Sequence, residues 1–137
     1  MRDSSAKKKI LPIAEDLLGE LIKEYLIDEG FNVTLFESYR SDVIYSELCR
    51  VKYGLVILTN TCLMPSQISE LVPVIKENFP KIKILIGSGW DSSDFIDELK
   101  RFGINHFFSL PFGRETIPII KELLSNKVIS IRKRKKR

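Results

Sequence analysis

The sequence predicts a doubly wound α/β domain, a three-layer α/β/α sandwich around a five-stranded parallel sheet, and three observations predict it. Short apolar runs rich in β-branched residues recur five times, each followed by a helical pattern. The central run, Tyr53 to Thr59 (Y-G-L-V-I-L-T), has no alternating polar face, which is how a strand buried on both sides reads. Gly30, Pro80 and Gly103 stand where helices have to stop. The most economical topology for such a chain is the flavodoxin-like strand order 2-1-3-4-5.

Taken in order, Lys9 to Ile13 predicts the first strand, and Leu18, Leu21, Ile22, Tyr25 and Leu26 line one face of a helix that Gly30 ends. Pro12 cannot donate to a ladder, so it predicts an early strand end or a bulge. Phe31 to Phe36 is the second strand. Ser41 is a suitable N-cap for a helix that turns Val43, Ile44 and Leu48 inward. After the central strand, Ser66 to Phe79 predicts a helix with Pro73 near its first turn or kinking it, closed by Pro80. Ile82 to Gly87 is strand four, and Ser92 or Ser93 caps a helix with Phe95, Ile96 and Leu99 inward. Asn105 to Ser109 is strand five, and Arg114 to Leu124 is the last helix, with Pro118 near its start.

A chain of 137 residues has room for one domain with a proper core, and neither a repeat nor a second domain interrupts it. Residues 1–8 read as a flexible basic N-terminus, 9–127 as the domain and 128–137 as a basic C-terminal tail. Cys49 and Cys62 lack metal-ligand or redox spacing, and His106 is the only histidine. A zinc site or a Cys/His nucleophile therefore lacks its parts, and no metal or cofactor is expected. The absence of a secretory segment and of any apolar stretch of spanning length points to a reducing, cytoplasmic setting with no membrane span. Net charge is +4, but the ends hold ten of the 22 basic groups and one of the 18 acids. Residues 10–131 are left with 12 basic against 17 acidic groups, a net of −5. The body is acidic and the ends are basic, so a high pI does not predict a basic binding face on the domain.

In an open parallel sheet the chemistry gathers at the carboxyl ends of the strands. Thr59 closes the central run, and no Asp or Glu occurs between Glu47 and Glu70. Several strings nearby carry a resemblance: K-I-L in the first strand, E-L-I-K-E-Y-L-I-D-E-G-F through the first helix, Y-G-L-V-I-L before Thr59, and G-I-N-H-F-F-S-L-P-F at strand five. Over roughly Lys9 to Lys127 the chain resembles the receiver domains of bacterial response regulators, the CheY-like family of two-component signalling and phosphorelays. The resemblance places the phosphoacceptor aspartate on Thr59 and the magnesium-binding acidic pair on Ile13 and Ala14, or on Glu15 and Asp16 if the first helix is shortened. The switch Ser/Thr falls on Ser88, fifteen residues before Gly103, and the aromatic switch on Phe107. The lysine that ends strand five falls on Leu110, and the proline that comes after it, usually in a cis peptide, on Pro111.

Aspartyl phosphorylation requires a carboxylate nucleophile, a divalent cation held by further carboxylates and a cation to pair with the product. Thr59, Ile13/Ala14 and Leu110 supply none of them. Counted back from Gly30, the apolar register of the first helix puts Glu15 and Asp16 at its N-terminus, where acids favour the macrodipole. The chain is therefore expected to be no enzyme, but a degenerate pseudo-receiver acting through protein–protein interaction. The resemblance places the partner or homodimer face on the fourth helix, fifth strand and fifth helix, at Asp94, Asp97, Lys100, Arg101, Phe107 and Arg114. A working phosphorelay receiver with a displaced site is the variant of this reading.

Other features read more plainly. Gly87-Ser88-Gly89-Trp90 lacks the lysine and spacing of phosphate-binding loops and reads as a turn with an exposed Trp90. Phe107, Phe108 and Phe112 read as core and strand-edge residues, and His106 as a surface residue. The six cations Arg132, Lys133, Arg134, Lys135, Lys136 and Arg137 would attract phosphates, so the alternative function is non-specific nucleic-acid association, with the domain as a dimerising scaffold.

Overall fold

The computed structural model describes residues 9–36, 40–59, 63–88, 93–109 and 112–125. Its elements are β1 (Lys9–Ile13), α1 (Asp16–Asp28), β2 (Asn32–Val33), α2 (Ser41–Arg50), β3 (Leu55–Thr59), α3 (Pro65–Asn78), β4 (Lys83–Ser88), α4 (Ser93–Arg101), β5 (Phe107–Ser109) and α5 (Ile117–Ser125), with a 3-10 turn (Arg114–Thr116) leading into α5. The strands form one parallel sheet of order β2-β1-β3-β4-β5, the predicted topology.

All five residues of β3 are buried, because helices cover both faces of the sheet. On one side Val56 and Leu58 pack with Ile44 and Leu48 of α2, Ile68, Val72 and Ile75 of α3, and Phe95 and Leu99 of α4. On the other, Leu55 and Ile57 pack with Ile22 and Leu26 of α1 and Ile120, Leu123 and Leu124 of α5. Each such aliphatic chain contributes about 1.5–3 kcal/mol when fully buried. Gly30 and Gly103 end α1 and α4 with φ of 90° and 91°, a left-handed conformation that a side chain would strain.

Several boundaries differ from the sequence expectations. Pro12 neither ends β1 nor bulges it: it is buried in mid-strand, in register with Ile57. The cost appears on the neighbouring strand. Thr34 N–H donates to the Ile10 carbonyl, and in a parallel ladder the next bond would run from residue 12 back to Thr34. Proline has no N–H to give, so β2 stops at Val33, and contact resumes only where Phe36 N–H meets the Pro12 carbonyl in an isolated bridge.

Arg40, not Ser41, is the N-cap of α2, and its side chain makes no cap hydrogen bond. The third helix starts one residue early, with Pro65 in its first turn and the Gln67 side-chain oxygen accepting the Met64 N–H at 3.0 Å. Pro73 sits well inside α3, carried there by the buried stripe Ile68, Leu71, Val72 and Ile75. The cap expected at residue 92 lies outside the described residues. The fifth strand begins at Phe107, two residues late, and His106 is half-buried rather than on the surface.

Candidate functional site

Register brings the strand ends together: Ile13 lies opposite Leu58, Thr59 opposite Gly87, and Ser88 opposite Ser109. Thr59 is fully buried, and its hydroxyl donates to the Ile13 carbonyl at 2.9 Å, tying β3 to β1 at the place where a reacting oxygen would have to project. Ile13 and Ala14 are also fully buried and bring only methyl and methylene groups. Glu15 comes next as the exposed N-cap of α1, with no side-chain cap bond, and Asp16 is the first helical residue.

A divalent cation at these strand ends would need carboxylate oxygens. Ile13 and Ala14 provide none, and the Thr59 hydroxyl proton is engaged with a backbone carbonyl. The residues do not fit the group that the fold family would hold. Among the described residues no three His, Cys, Asp or Glu gather as metal ligands.

Ser88 closes β4 and is 8% exposed, while Phe107 at the start of β5 is half-buried. Phe107 lies opposite Ile86, two residues before the strand end where Ser88 meets Ser109. Beside them lies an aromatic row. The Phe108 ring covers Gly87 so closely that a Cβ there would sit 2.5 Å from its Cζ. Phe108 meets Phe112 edge to face at 5.4 Å, and Phe112 meets Tyr25 of α1 at 5.7 Å. Phe108 and Phe112 are thus core residues, as expected. Leu110, Pro111, Trp90, Cys62 and the cations 132–137 lie outside the described residues.

The expected partner face is polar. Asp94, Asp97, Lys100, Arg101 and Arg114 are exposed, and α4 turns Phe95 and Leu99 inward beneath them. Its acids lie towards the N-terminus and its bases in the last turn, the arrangement the helix macrodipole favours.

One polar cluster lies outside every sequence expectation. Glu47 of α2 is buried and accepts the Tyr53 hydroxyl at 2.5 Å and an Arg50 guanidinium N–H at 2.7 Å. The Tyr53 hydrogen bond, with help from Arg50, holds the Glu47 carboxyl below its ordinary value of 4.5. Burial first, and the Glu47 bond second, push the Tyr53 hydroxyl up to about 12. A sequence signal existed: Glu47 is three residues from Ile44 and next to Leu48, on the inward face of α2.

Neither protein-family models nor curated proteins match this sequence. Solved structures match its fold. A response regulator from Thermotoga maritima superposes with a TM-score of 0.77 at 21% identity, over 88% of this chain and 99% of that one. An orphan response regulator of H. pylori gives 0.74 at 22%, over 87% and 98%. A CheY-like receiver domain protein from Methanospirillum hungatei JF-1 gives 0.73 at 18%, over 87% and 94%. The fold is CheY-like.

Proposed function

We propose that this chain uses a CheY-like fold as a receiver-type signalling module that works without phosphoryl transfer, by docking to a protein partner or a second copy. The observation that carries the reading is the state of Thr59: the residue that the resemblance aligns with the phosphoacceptor is fully buried, is not a carboxylate, and has its hydroxyl on the Ile13 carbonyl. Phosphotransfer needs an exposed carboxylate and a cation site beside it, and the side chains of Ile13 and Ala14 supply no carboxylate for the cation. The module is accordingly no enzyme. The exposed charges of α4 with Arg114, and Phe107 at the edge of β5, form the face for the partner. Charges of both signs there favour steering and specificity over affinity.

The test is incubation with magnesium and acetyl phosphate, or beryllofluoride, read by intact mass and backbone amide shifts. The expected result is no adduct and no shift at Thr59, Ser88 or Phe107. A stable adduct, or shifts spreading from Thr59 and Ser88 towards Phe107, would overturn the reading and make the chain a working receiver with a displaced site. The six-cation run favours a second reading, non-specific nucleic-acid association. Its test is a salt-sensitive DNA mobility shift that disappears when residues 132–137 are removed.

A further inference from the structure

The outer face of α1 has an unusual composition. At about 100° per residue, Leu17, Glu20, Glu24, Ile27 and Asp28 fall within an arc of about 100°, and all five are exposed. Leu17 is 85% and Ile27 50% exposed, so the stripe alternates bare aliphatic groups with carboxylates. Glu20, Glu24 and Asp28 succeed one another at intervals of four, which stacks like charges on neighbouring turns. None of the three is in an ion pair among the described residues.

Beside α1 lies α5, on the side of Tyr25 and Glu29. Lys121 of α5 pairs with Glu29, at the end of α1, at 2.9 Å, and Phe112, just before α5, packs on Tyr25. The two helices therefore run side by side in the same direction, and α5 ends at Ser125, four residues beyond the residue that pairs with the C-terminal end of α1. The sequence beyond Ser125 has the complementary composition: Val128, Ile129 and Ile131, then the six cations 132–137. Twelve residues reach at most about 40 Å when extended, against about 20 Å for the length of α1.

We propose that residues 126–137 dock on the outer face of α1 of their own chain, the aliphatic residues against Ile27 and the cations, farther along, against Glu24 and Glu20. The tail is then a self-occupant of an interaction surface, displaced by a partner that competes for either side. This inference stands apart from the absence of phosphotransfer and survives its failure.

The experiment compares amide spectra of the full chain with those of a full-length variant carrying R132Q, K133Q, R134Q, K135Q, K136Q and R137Q. Docking predicts shift differences concentrated at residues 17–28, independent of protein concentration, and reduced several-fold in about 1 M salt, where the Debye length is about 3 Å. E20Q and E24Q in a chain that keeps the wild-type tail should reproduce the loss of docking at the tail resonances while leaving core shifts in place. Differences confined to the last turn of α5 would overturn the proposal. So would differences that grow with protein concentration, which would put the tail on a second copy.

Discussion

At the scale of the residue, Thr59 ties the ends of β3 and β1 together. Replacing it with Val removes one hydrogen bond to the Ile13 carbonyl, and urea unfolding should register a loss of about 1 kcal/mol. Thr59→Asp would bury a carboxylate among Ile13, Ala14 and Leu58. A destabilisation of about 2 kcal/mol or more is expected, with no gain of acetyl phosphate reactivity. Gly87→Ala is a different kind of test, because the obstacle is the buried Phe108 ring. Overpacking there should cost about 1–3 kcal/mol, and Phe108→Leu in the same chain should recover part of it. The Glu47–Tyr53 pair sets the pH limits. Glu47 has its folded pKa below 4.5, so its contribution is present above that value and lost as pH falls through it. Tyr53 has its folded pKa raised from 10.0 to about 12, so its contribution is present below pH 10 and lost as pH climbs towards 12. Tyr53→Phe should flatten the alkaline limb of a stability profile and move the acid limb upward, since Glu47 loses the bond that lowers its pKa most.

At the scale of the element, Pro12 offers the cleanest test. Pro12→Val would supply the missing N–H to Thr34, worth about 1 kcal/mol, but would release an unfolded-state restriction of about 0.4–1 kcal/mol. The net stability change is therefore near zero, and hydrogen exchange is the informative readout: a slowly exchanging amide should appear at residue 12. An unprotected amide there would show that another constraint ends β2. The same residue shows how legible the elements were. Periodicity and stop signals gave all five strands and five helices in order, because each signal is local. The conflict at Pro12 was visible, but its resolution lay on a different strand. That Thr59 closes the central strand was readable for the same local reason. The tie to Ile13 was not, since it joins strands that only the closed fold brings together, whereas the Glu47–Tyr53–Arg50 cluster is local and its one signal was an acid on the inward face of α2.

At the scale of the whole molecule, the sheet separates two apolar layers, and the Tyr53 ring with its Glu47 partner is set into one of them. Val56 and Leu58 belong to one layer and Leu55 and Ile57 to the other, so β3 joins the two. A core truncation such as Ile57→Ala should cost about 2–5 kcal/mol and lower the single unfolding transition, seen alike by circular dichroism and by tyrosine fluorescence. Separate transitions by the two probes would mean that the layers unfold independently. The outermost strands have a further consequence. Among the described residues β2 is two residues long and β5 three, the first cut short where Pro12 has no hydrogen to offer and the second starting late. A sheet margin that brief presents almost no run of unsatisfied amides and carbonyls to a foreign strand. The proline that weakens the ladder inside the molecule thereby helps keep one molecule from being stitched to the next, and crowding should favour monomeric protein over fibrils.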